Sequence, residues 1–254
     1  MSDLREPIDL PSPNHDPRPD GVPIDMLVLH YTGMQSGTEA LDRLCDPAAK
    51  VSSHYVAEED GRVFALVTET RRAWHAGLSW WRGYAGLNDR SIGIEIVNPG
   101  HEWGYRDFPA PQIAAVITLC RAILARHPIP PRNVVAHSDI APARKQAPGE
   151  RFPWARLATA GIGLWPGEAP AAVDEVAPIA PGETGDSVRA LRATLRRIGY
   201  QVAPEGPADA ALATVLTAFQ RHWAPHRTDG VADGRTRWAV GRVAAMAEGR
   251  IGGT

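Results

Sequence analysis

The apolar residues in the first two thirds of the chain fall into short runs that are typical of strands, interrupted by stretches with helical periodicity. The runs are rich in Val and Ile or alternate apolar with polar positions, and Asp60-Gly61 between two of them is a strong hairpin signal. The longest helical stretch, at 111–127, has a proline in its first turn and a periodic apolar face. We predict strands at 26–29, 51–56, 63–67, 91–97 and 134–136, and helices at 38–44, 111–127 and 153–160.

The pattern changes after residue 164. Residues 165–181 are rich in Ala and Pro and lack periodicity, which predicts an inter-domain linker. Three amphipathic helices follow, and we predict a compact helical domain at 182–250, which at about 70 residues is large enough to fold alone. Residues 1–22 are polar and proline-rich and predict an extended arm that lies over the domain at 1–164.

Composition limits the classes of function. The 254 residues carry a formal net charge of −2, which leaves no basic stripe for nucleic acid. No window approaches the ~18 consecutive apolar residues of a membrane span. Cys45 and Cys120 form no C-x-x-C pair and are predicted to be free thiols. The first residues show no secretory signal, so we expect a cytoplasmic protein, with the periplasm as the alternative if a signal has been trimmed. We also expect a monomer.

Three polar residues stand out against apolar strands. His30 and His137 each follow a predicted strand, and the two strands are far apart in the sequence. One such histidine is usually a structural group, whereas two at the ends of buried strands suggest a shared zinc site. Glu95 lies inside a strand, where a carboxylate is costly to bury unless it is paired or protonated. It is either bound to a nearby donor or a general base with a raised pKa, and we favour the second interpretation.

Four motifs in the same order resemble the zinc-dependent N-acetylmuramoyl-L-alanine amidases of the AmpD/AmiD type, over roughly residues 10–165. They are His30, Ala73-Trp74-His75-Ala76-Gly77, Ser91-Ile92-Gly93-Ile94-Glu95 and the loop at 137–149. The resemblance implies an α/β fold with a central mixed β-sheet flanked by helices. It also implies Zn²⁺ held by His30, His137 and a loop Asp. That loop reads Lys-x-Asp-Pro-Gly in the family, but Lys145-Gln146-Ala147-Pro148-Gly149 here, so Ala147 stands where the third metal ligand is expected.

The same resemblance implies roles for other residues. Glu95 would move a proton between water and the departing nitrogen, and Lys145 would stabilise the oxyanion. The bond cut would join N-acetylmuramic acid, or its 1,6-anhydro form, to L-alanine of the peptidoglycan stem peptide. The predicted substrate-binding residues are Trp74, His75, Ala76, Arg71 and Arg82. With Ala at position 147 we expect zinc binding and activity to be impaired; an engineered change and a natural loss are both compatible with the sequence.

The C-terminal helices carry a second resemblance. Gly185-Asp186-Ser187-Val188-Arg189-Ala190-Leu191, with Phe219-Gln220 and Asp229-Gly230-Val231, is similar to the peptidoglycan-binding domain found in cell-wall hydrolases. The expected partners are therefore peptidoglycan fragments or the wall polymer. Two alternatives stay open: a peptidoglycan-binding protein without catalysis, and a zinc hydrolase acting on another amide. The preference between anhydro-muropeptides and polymeric wall also stays open.

Overall fold

The computed structural model describes residues 6–251. Its centre is a six-stranded mixed sheet, whose strands are β1 (Ile8–Asp9), β3 (Met26–Tyr31), β4 (Tyr55–Ala57), β5 (Val63–Ala65), β9 (Ser91–Ile96) and β10 (Val134–Ala136). The strand order is β1-β5-β4-β9-β3-β10, in which β4, β9, β3 and β10 are parallel and β5 is antiparallel to β4. Two small ribbons pair β2 (His15–Pro17) with β6 (Arg71–Ala73), and β7 (Trp80–Trp81) with β8 (Tyr84–Ala85).

Helices cover both faces of the sheet, which confirms the predicted α/β fold. They are α1 (Gly37–Cys45), α2 (Gly100–Trp103), α3 (Ala110–Arg126), α4 (His137–Ile140), α5 (Trp154–Thr159), α6 (Asp186–Ile198), α7 (Ala210–Trp223) and α8 (Gly234–Ala247). The apolar stripe of α3 forms one core with alternate residues of β3 and β9. The opposite face of β3 carries Met26 and Val28, which belong to a second core that includes the C-terminal helices. None of the helices in the described range has the length and apolar character that crossing a membrane requires.

The N-terminal arm contributes strands as well as lying over the domain. Its β1 pairs with β5 and its β2 pairs with β6. The Arg18 guanidinium holds the arm in place by donating to the backbone carbonyls of Glu69, Asn88, Asp89 and Ser91. Residues 1–5 of the predicted arm lie outside the described residues.

The predicted strand at 51–56 needs a correction, although the hairpin at Asp60-Gly61 is confirmed. Its strand begins only at Tyr55. Ser52 instead donates its hydroxyl to the Asn14 carbonyl and its backbone N–H to the Trp74 carbonyl. Ser53 donates its hydroxyl to the Gly93 carbonyl. Because serine side chains offer alternative partners to the backbone, they divert this segment from a regular ladder.

The three C-terminal helices form as predicted, with one difference at their start. Asp209 caps α7 by accepting from the Leu212 N–H, and Asp233 caps α8 by accepting from the Thr236 N–H. Asp186 is of a residue type that often caps helices, but the cap position of α6 is Gly185, and Asp186 pairs with Arg189.

The helical unit (186–247) shares a hydrophobic core with the sheet. Met26, Val28, Val135 and Ile140 lie in one buried cluster with residues of α6, α7 and α8. The segment at 165–181 also packs against this unit: it contains a 3-10 turn at Ala171–Glu175, and Ile179 forms a bridge with Ala232. The two parts of the chain therefore meet over an apolar interface, in addition to being joined by the predicted linker.

We expect a chain that ends at residue 181 to be much less stable than the full chain. It would expose the apolar side chains of Met26, Val28, Val135 and Ile140, each worth roughly 1.5–3 kcal/mol when fully buried. Thermal unfolding followed by circular dichroism, with dye binding to exposed apolar surface, measures the effect. An unchanged melting temperature without dye binding would show that the interface contributes little.

Candidate active site

The register of three neighbouring parallel strands places the predicted site residues side by side. In β3 and β9, His30 is the direct partner of Glu95. In β3 and β10, Leu29 is paired with Ala136, so that His137 follows next to His30. Strands that run parallel end at the same edge of the sheet, and these three side chains therefore converge there. The distance from His30 Nδ1 to Glu95 Oε1 is 3.8 Å.

One face of β9 is shaped to receive a histidine. Ile92, Ile94 and Ile96 point into the core with α3, so the alternate residues Ser91, Gly93 and Glu95 face the site. The ring of His75 lies directly over Gly93, where any Cβ would collide with it. On this one face of β9, Ser91 thus provides a hydrogen-bond partner, Gly93 leaves space for the His75 ring, and Glu95 provides a carboxylate.

A chain of hydrogen bonds fixes the tautomer of His30. The Ser91 hydroxyl donates to the Leu87 carbonyl at 2.6 Å, so its oxygen can only accept from His75 Nε2, 3.1 Å away. His75 is neutral because burial lowers its pKa well below the usual value. Its Nδ1 therefore accepts from His30 Nε2 at 3.0 Å. His30, whose pKa burial also lowers, is left with a lone pair on Nδ1.

His137 is oriented in the same way from the other side. Its Nε2 lies 3.2 Å from the Ala76 carbonyl, which can only accept a hydrogen bond. Burial, reinforced by the nearby charge of Lys145, lowers the pKa of His137 to about 3, so the ring is neutral and its Nδ1 carries a lone pair. The two Nδ1 atoms of His30 and His137 are 2.7 Å apart. Two lone pairs at this distance repel each other unless a proton or a cation lies between them.

The two imidazoles fit a zinc ion, but the third position does not. Neutral imidazole nitrogens held by outer hydrogen bonds are typical zinc ligands. Ala147 is buried in the adjoining loop, where its carbonyl accepts from the Ser138 N–H at 3.0 Å, and its side chain is a methyl group. Within residues 6–251 no group of three His, Cys, Asp or Glu is arranged to hold a metal. The structure brings together His30 and His137, two of the three predicted ligands, whereas the side chain at the third position has no donor atom.

Glu95 has the environment of a proton carrier. Burial raises its pKa to about 8, while the charge of Lys145 acts in the opposite direction. Its Oε2 is buried without a hydrogen-bond partner among the described residues. The predicted alternative, a Glu neutralised by an Arg or a backbone donor, is not what the structure shows. Desolvation brings the pKa of this carboxyl group close to neutral pH, and the side chain faces the site.

The predicted substrate-binding residues do not share one surface. His75 and Ala76 are buried behind the imidazoles and contact the site through them. Trp74 is half-buried and donates its indole N–H to Asp16. The Arg71 side chain donates to His15 of the arm, and Arg82 donates to the carbonyls of Arg197 and Ile198 at the end of α6. These two arginines are engaged in packing the chain together, so their predicted pairing with stem-peptide carboxylates gains no support.

Sequence reasoning did not connect three residues that meet at the loop at 137–149. Asp139 is buried two positions after His137, and its carboxylate accepts from Tyr200 and His222 of the helical unit. The signal was weak, because Tyr200 and His222 lie 61 and 83 residues away in sequence. The one local indication of this cluster in the sequence is the polar residue Asp139 within the loop at 137–149.

Comparison with known proteins agrees with this geometry. The profile of the family described as N-acetylmuramoyl-L-alanine amidase matches residues 20–150. A second profile, described as a peptidoglycan binding domain, matches residues 184–240. The first match covers more than half of the chain and includes both imidazoles and Glu95. The chain therefore belongs to the N-acetylmuramoyl-L-alanine amidase family and carries a helical unit of the peptidoglycan-binding type.

Its relatives include two amidases of Escherichia coli. The chain is 41% identical to N-acetylmuramoyl-L-alanine amidase AmiD over 227 residues, 84% of this chain and 80% of AmiD. It is 37% identical to 1,6-anhydro-N-acetylmuramyl-L-alanine amidase AmpD over 165 residues, 58% of this chain and 88% of AmpD. A solved complex of AmiD with the substrate anhydro-N-acetylmuramic acid-L-Ala-D-gamma-Glu-L-Lys gives a TM-score of 0.75 at 39% identity, covering 88% of this chain and 90% of that one.

We expect Glu95 to reduce the stability of the fold as the pH rises. Its pKa in the folded chain, about 8, lies above the ordinary 4.5, so the stabilising contribution of protonated Glu95 is complete below pH 4.5 and is lost as the pH rises through 8. Urea unfolding at pH 6 and pH 8 should show a loss of unfolding free energy roughly 1–3 kcal/mol larger for the unmodified chain than for Glu95→Gln. Parallel losses in both chains would mean that Glu95 is already ionised at pH 6.

Proposed function

We propose that the site hydrolyses the amide bond between N-acetylmuramic acid, or its 1,6-anhydro form, and L-alanine of a peptidoglycan stem peptide. The observation that carries this proposal is the convergence of two Nδ1 lone pairs, from His30 and His137, beside the largely buried Glu95 carboxyl. Such a set of groups suits the metal-assisted hydrolysis of an amide. The identity of the bond that is cleaved is inferred from membership of the amidase family.

Zn²⁺ is the metal that this donor set suits best. His30 and His137 would hold it, and their tautomers are fixed in advance by His75 and by the Ala76 carbonyl. When bound, zinc polarises the scissile carbonyl and lowers the pKa of a water molecule. The chain itself contributes the neutral nitrogens and the buried surroundings in which charges interact strongly.

Glu95 and Lys145 would carry out the proton and charge chemistry. A carboxyl group with a pKa near neutrality can accept a proton from the attacking water and deliver it to the departing nitrogen. The positive charge of Lys145 lowers the pKa of both His137 and Glu95, and from this we infer a position near the two groups. From there it would stabilise the oxyanion formed at the carbonyl.

Ala147 weakens this site in the chain as it stands. A methyl group in place of a carboxylate removes one ligand and one negative charge. The charge of Lys145 then stays uncompensated beside the metal position, which disfavours a dication there. We therefore infer low zinc affinity and low amidase activity.

Ala147 also supports a second function, recognition of peptidoglycan without hydrolysis. The helical unit matches a peptidoglycan-binding profile, and the groups other than the third ligand are in place. In both cases the partner is peptidoglycan, either as soluble fragments or as wall polymer. The substrate bound in the AmiD complex favours anhydro-muramyl peptides as the fragments to test first. We propose a cytoplasmic location, with the periplasm as the alternative.

Restoring the carboxylate should restore the metal and the reaction together. We expect Ala147→Asp to bind about one zinc per chain and to cleave an anhydro-muramyl tripeptide, whereas the unmodified chain binds clearly less. Ala147→Asn is the matched control, because it has nearly the same shape as Asp but lacks the negative charge. Zinc analysis and release of the L-Ala-headed peptide are measured on the same samples. Full zinc with no cleavage of fragments or wall in Ala147→Asp would favour the recognition function.

In the Ala147→Asp chain, the proposed roles can be separated. Glu95→Gln should retain zinc and lose roughly 10²–10⁴-fold in turnover, because a positioned proton carrier is removed. Lys145→Ala should retain zinc and lose on the order of 10²–10³-fold. His30→Ala should lose both zinc and turnover. Equal losses of zinc in all three chains would contradict this assignment of roles.

A further inference from the structure

Asp139 is a buried carboxylate at the junction of the helical unit and the site loop. Its side chain is 0% exposed. Oδ1 accepts from the Tyr200 hydroxyl at 2.5 Å, and Oδ2 accepts from His222 Nδ1 at 2.6 Å. Oδ2 also accepts from the backbone N–H of Ala136 at 2.8 Å. Two of the three donors to this one charge therefore belong to the helical unit, and the third lies beside His137.

The surroundings fix the direction of these bonds. Burial and the Asp139 charge raise the pKa of Tyr200 well above its usual value, so its hydroxyl keeps its proton and donates. Burial lowers the pKa of His222, while the Asp139 charge raises it. The imidazole stacks between the indoles of Trp154 and Trp223, with ring centroids 3.7 and 3.6 Å away. Neither donor can turn to another partner without disturbing this packing.

Because the Asp139 carboxylate is held in place by these donors, it also restrains the position of His137. Asp139 and Ala136 enclose His137 in a single turn that begins where β10 ends. A buried carboxylate without its donors is strongly unfavourable, so the turn would have to open towards water. Opening the turn would move the His137 ring away from the Ala76 carbonyl that orients it.

The end of α7 reaches the loop at a second place. Arg221, next to His222, lies 3.3 Å from the Gln146 side chain and 3.7 Å from Glu150. Both residues flank Ala147, the position of the missing ligand. Helix α7 thus contacts the loop at Asp139, just after His137, and on both sides of Ala147, although its residues are remote from these positions in sequence.

We propose that Tyr200 and His222 of the helical unit are positioning residues of the metal site, acting on His137 through Asp139. The helical unit has, in this proposal, a role in the site that is separate from binding peptidoglycan. The expected effect on catalysis rests on the proposed function, whereas the effect on the loop itself does not.

Hydrogen exchange of the unmodified chain tests the positioning without any metal or substrate. The reporter is the peptide at 137–149, whose Ser138, Ala141 and Lys145 amides are hydrogen-bonded within the loop. We expect Tyr200→Phe, which removes one hydroxyl, to speed exchange there tenfold or more while β9 stays protected. His222→Leu should act in the same direction, and His222→Asn less, because its amide can still donate to Asp139.

Val243→Ala is the matched control for a general loss of stability. Val243 is fully buried in the helical unit and is not one of the residues that donate to Asp139, which are Ala136, Tyr200 and His222. We expect it to lower the melting temperature and to speed exchange in α8, with the loop at 137–149 unaffected. If Tyr200→Phe and Val243→Ala open the loop equally, or if neither opens it, the positioning role is refuted.

Zinc affinity in the Ala147→Asp background gives the second readout. Competition with a chelator should show a loss of about 10–100-fold for Tyr200→Phe and none for Val243→Ala, since partners outside the ligand shell typically have effects of this size. A fall in kcat with little change in KM should accompany it. If Ala147→Asp binds zinc but is inactive, the proposed function fails, while exchange and affinity still decide the positioning role. Unchanged affinity in Tyr200→Phe overturns it.

Discussion

The parallel pairing of β3 with its two neighbours is the constraint on which the rest of the site depends. It places His30 opposite Glu95 and brings His137 alongside, because all three strands end at one edge. A shift of one residue in either pair would turn the side chain to the opposite face of the sheet. The apolar residues on that face, packed against α3, resist such a shift, since it would move them out of the core. Core packing therefore fixes the strand register, and the register determines which side chains meet in the site.

The sequence allowed the strand ends and their polar residues to be predicted, because each lies within one local pattern. His30, Glu95 and His137 could be selected without knowledge of their distances. The relay through His75 and Ser91 could not, since it depends on which face of β9 lies under which loop. The prediction that Arg82 binds substrate gained no support for a related reason. The neighbouring sequence does not indicate that the Arg82 side chain donates to two backbone carbonyls at the end of α6.

In the proposed metal site, the methyl group of Ala147 would have an electrostatic consequence beyond the loss of a ligand. His30 and His137 are kept neutral by burial, and the charge that lowers the pKa of His137 most is the positive Lys145. A loop carboxylate would place a negative charge among these groups and balance a dication. Without it, the site retains preoriented lone pairs in surroundings that repel cations. A hydrolase and a recognition protein can thus share nearly all of their structure and differ in one charge.

The interface with the helical unit ties wall recognition to the orientation of the site. Two parts connected only by a linker would sample many relative orientations, and a bound polymer would meet the site at random. Here Met26 and Val28 share a core with the helices, and the Asp139 charge is satisfied only when Tyr200 is in place. Displacing the helical unit would expose apolar surface and would also leave the buried Asp139 carboxylate without two of its hydrogen-bond donors. One relative orientation of the two parts is therefore strongly favoured. Peptidoglycan held by the helices would consequently approach His30 and His137 from a fixed direction.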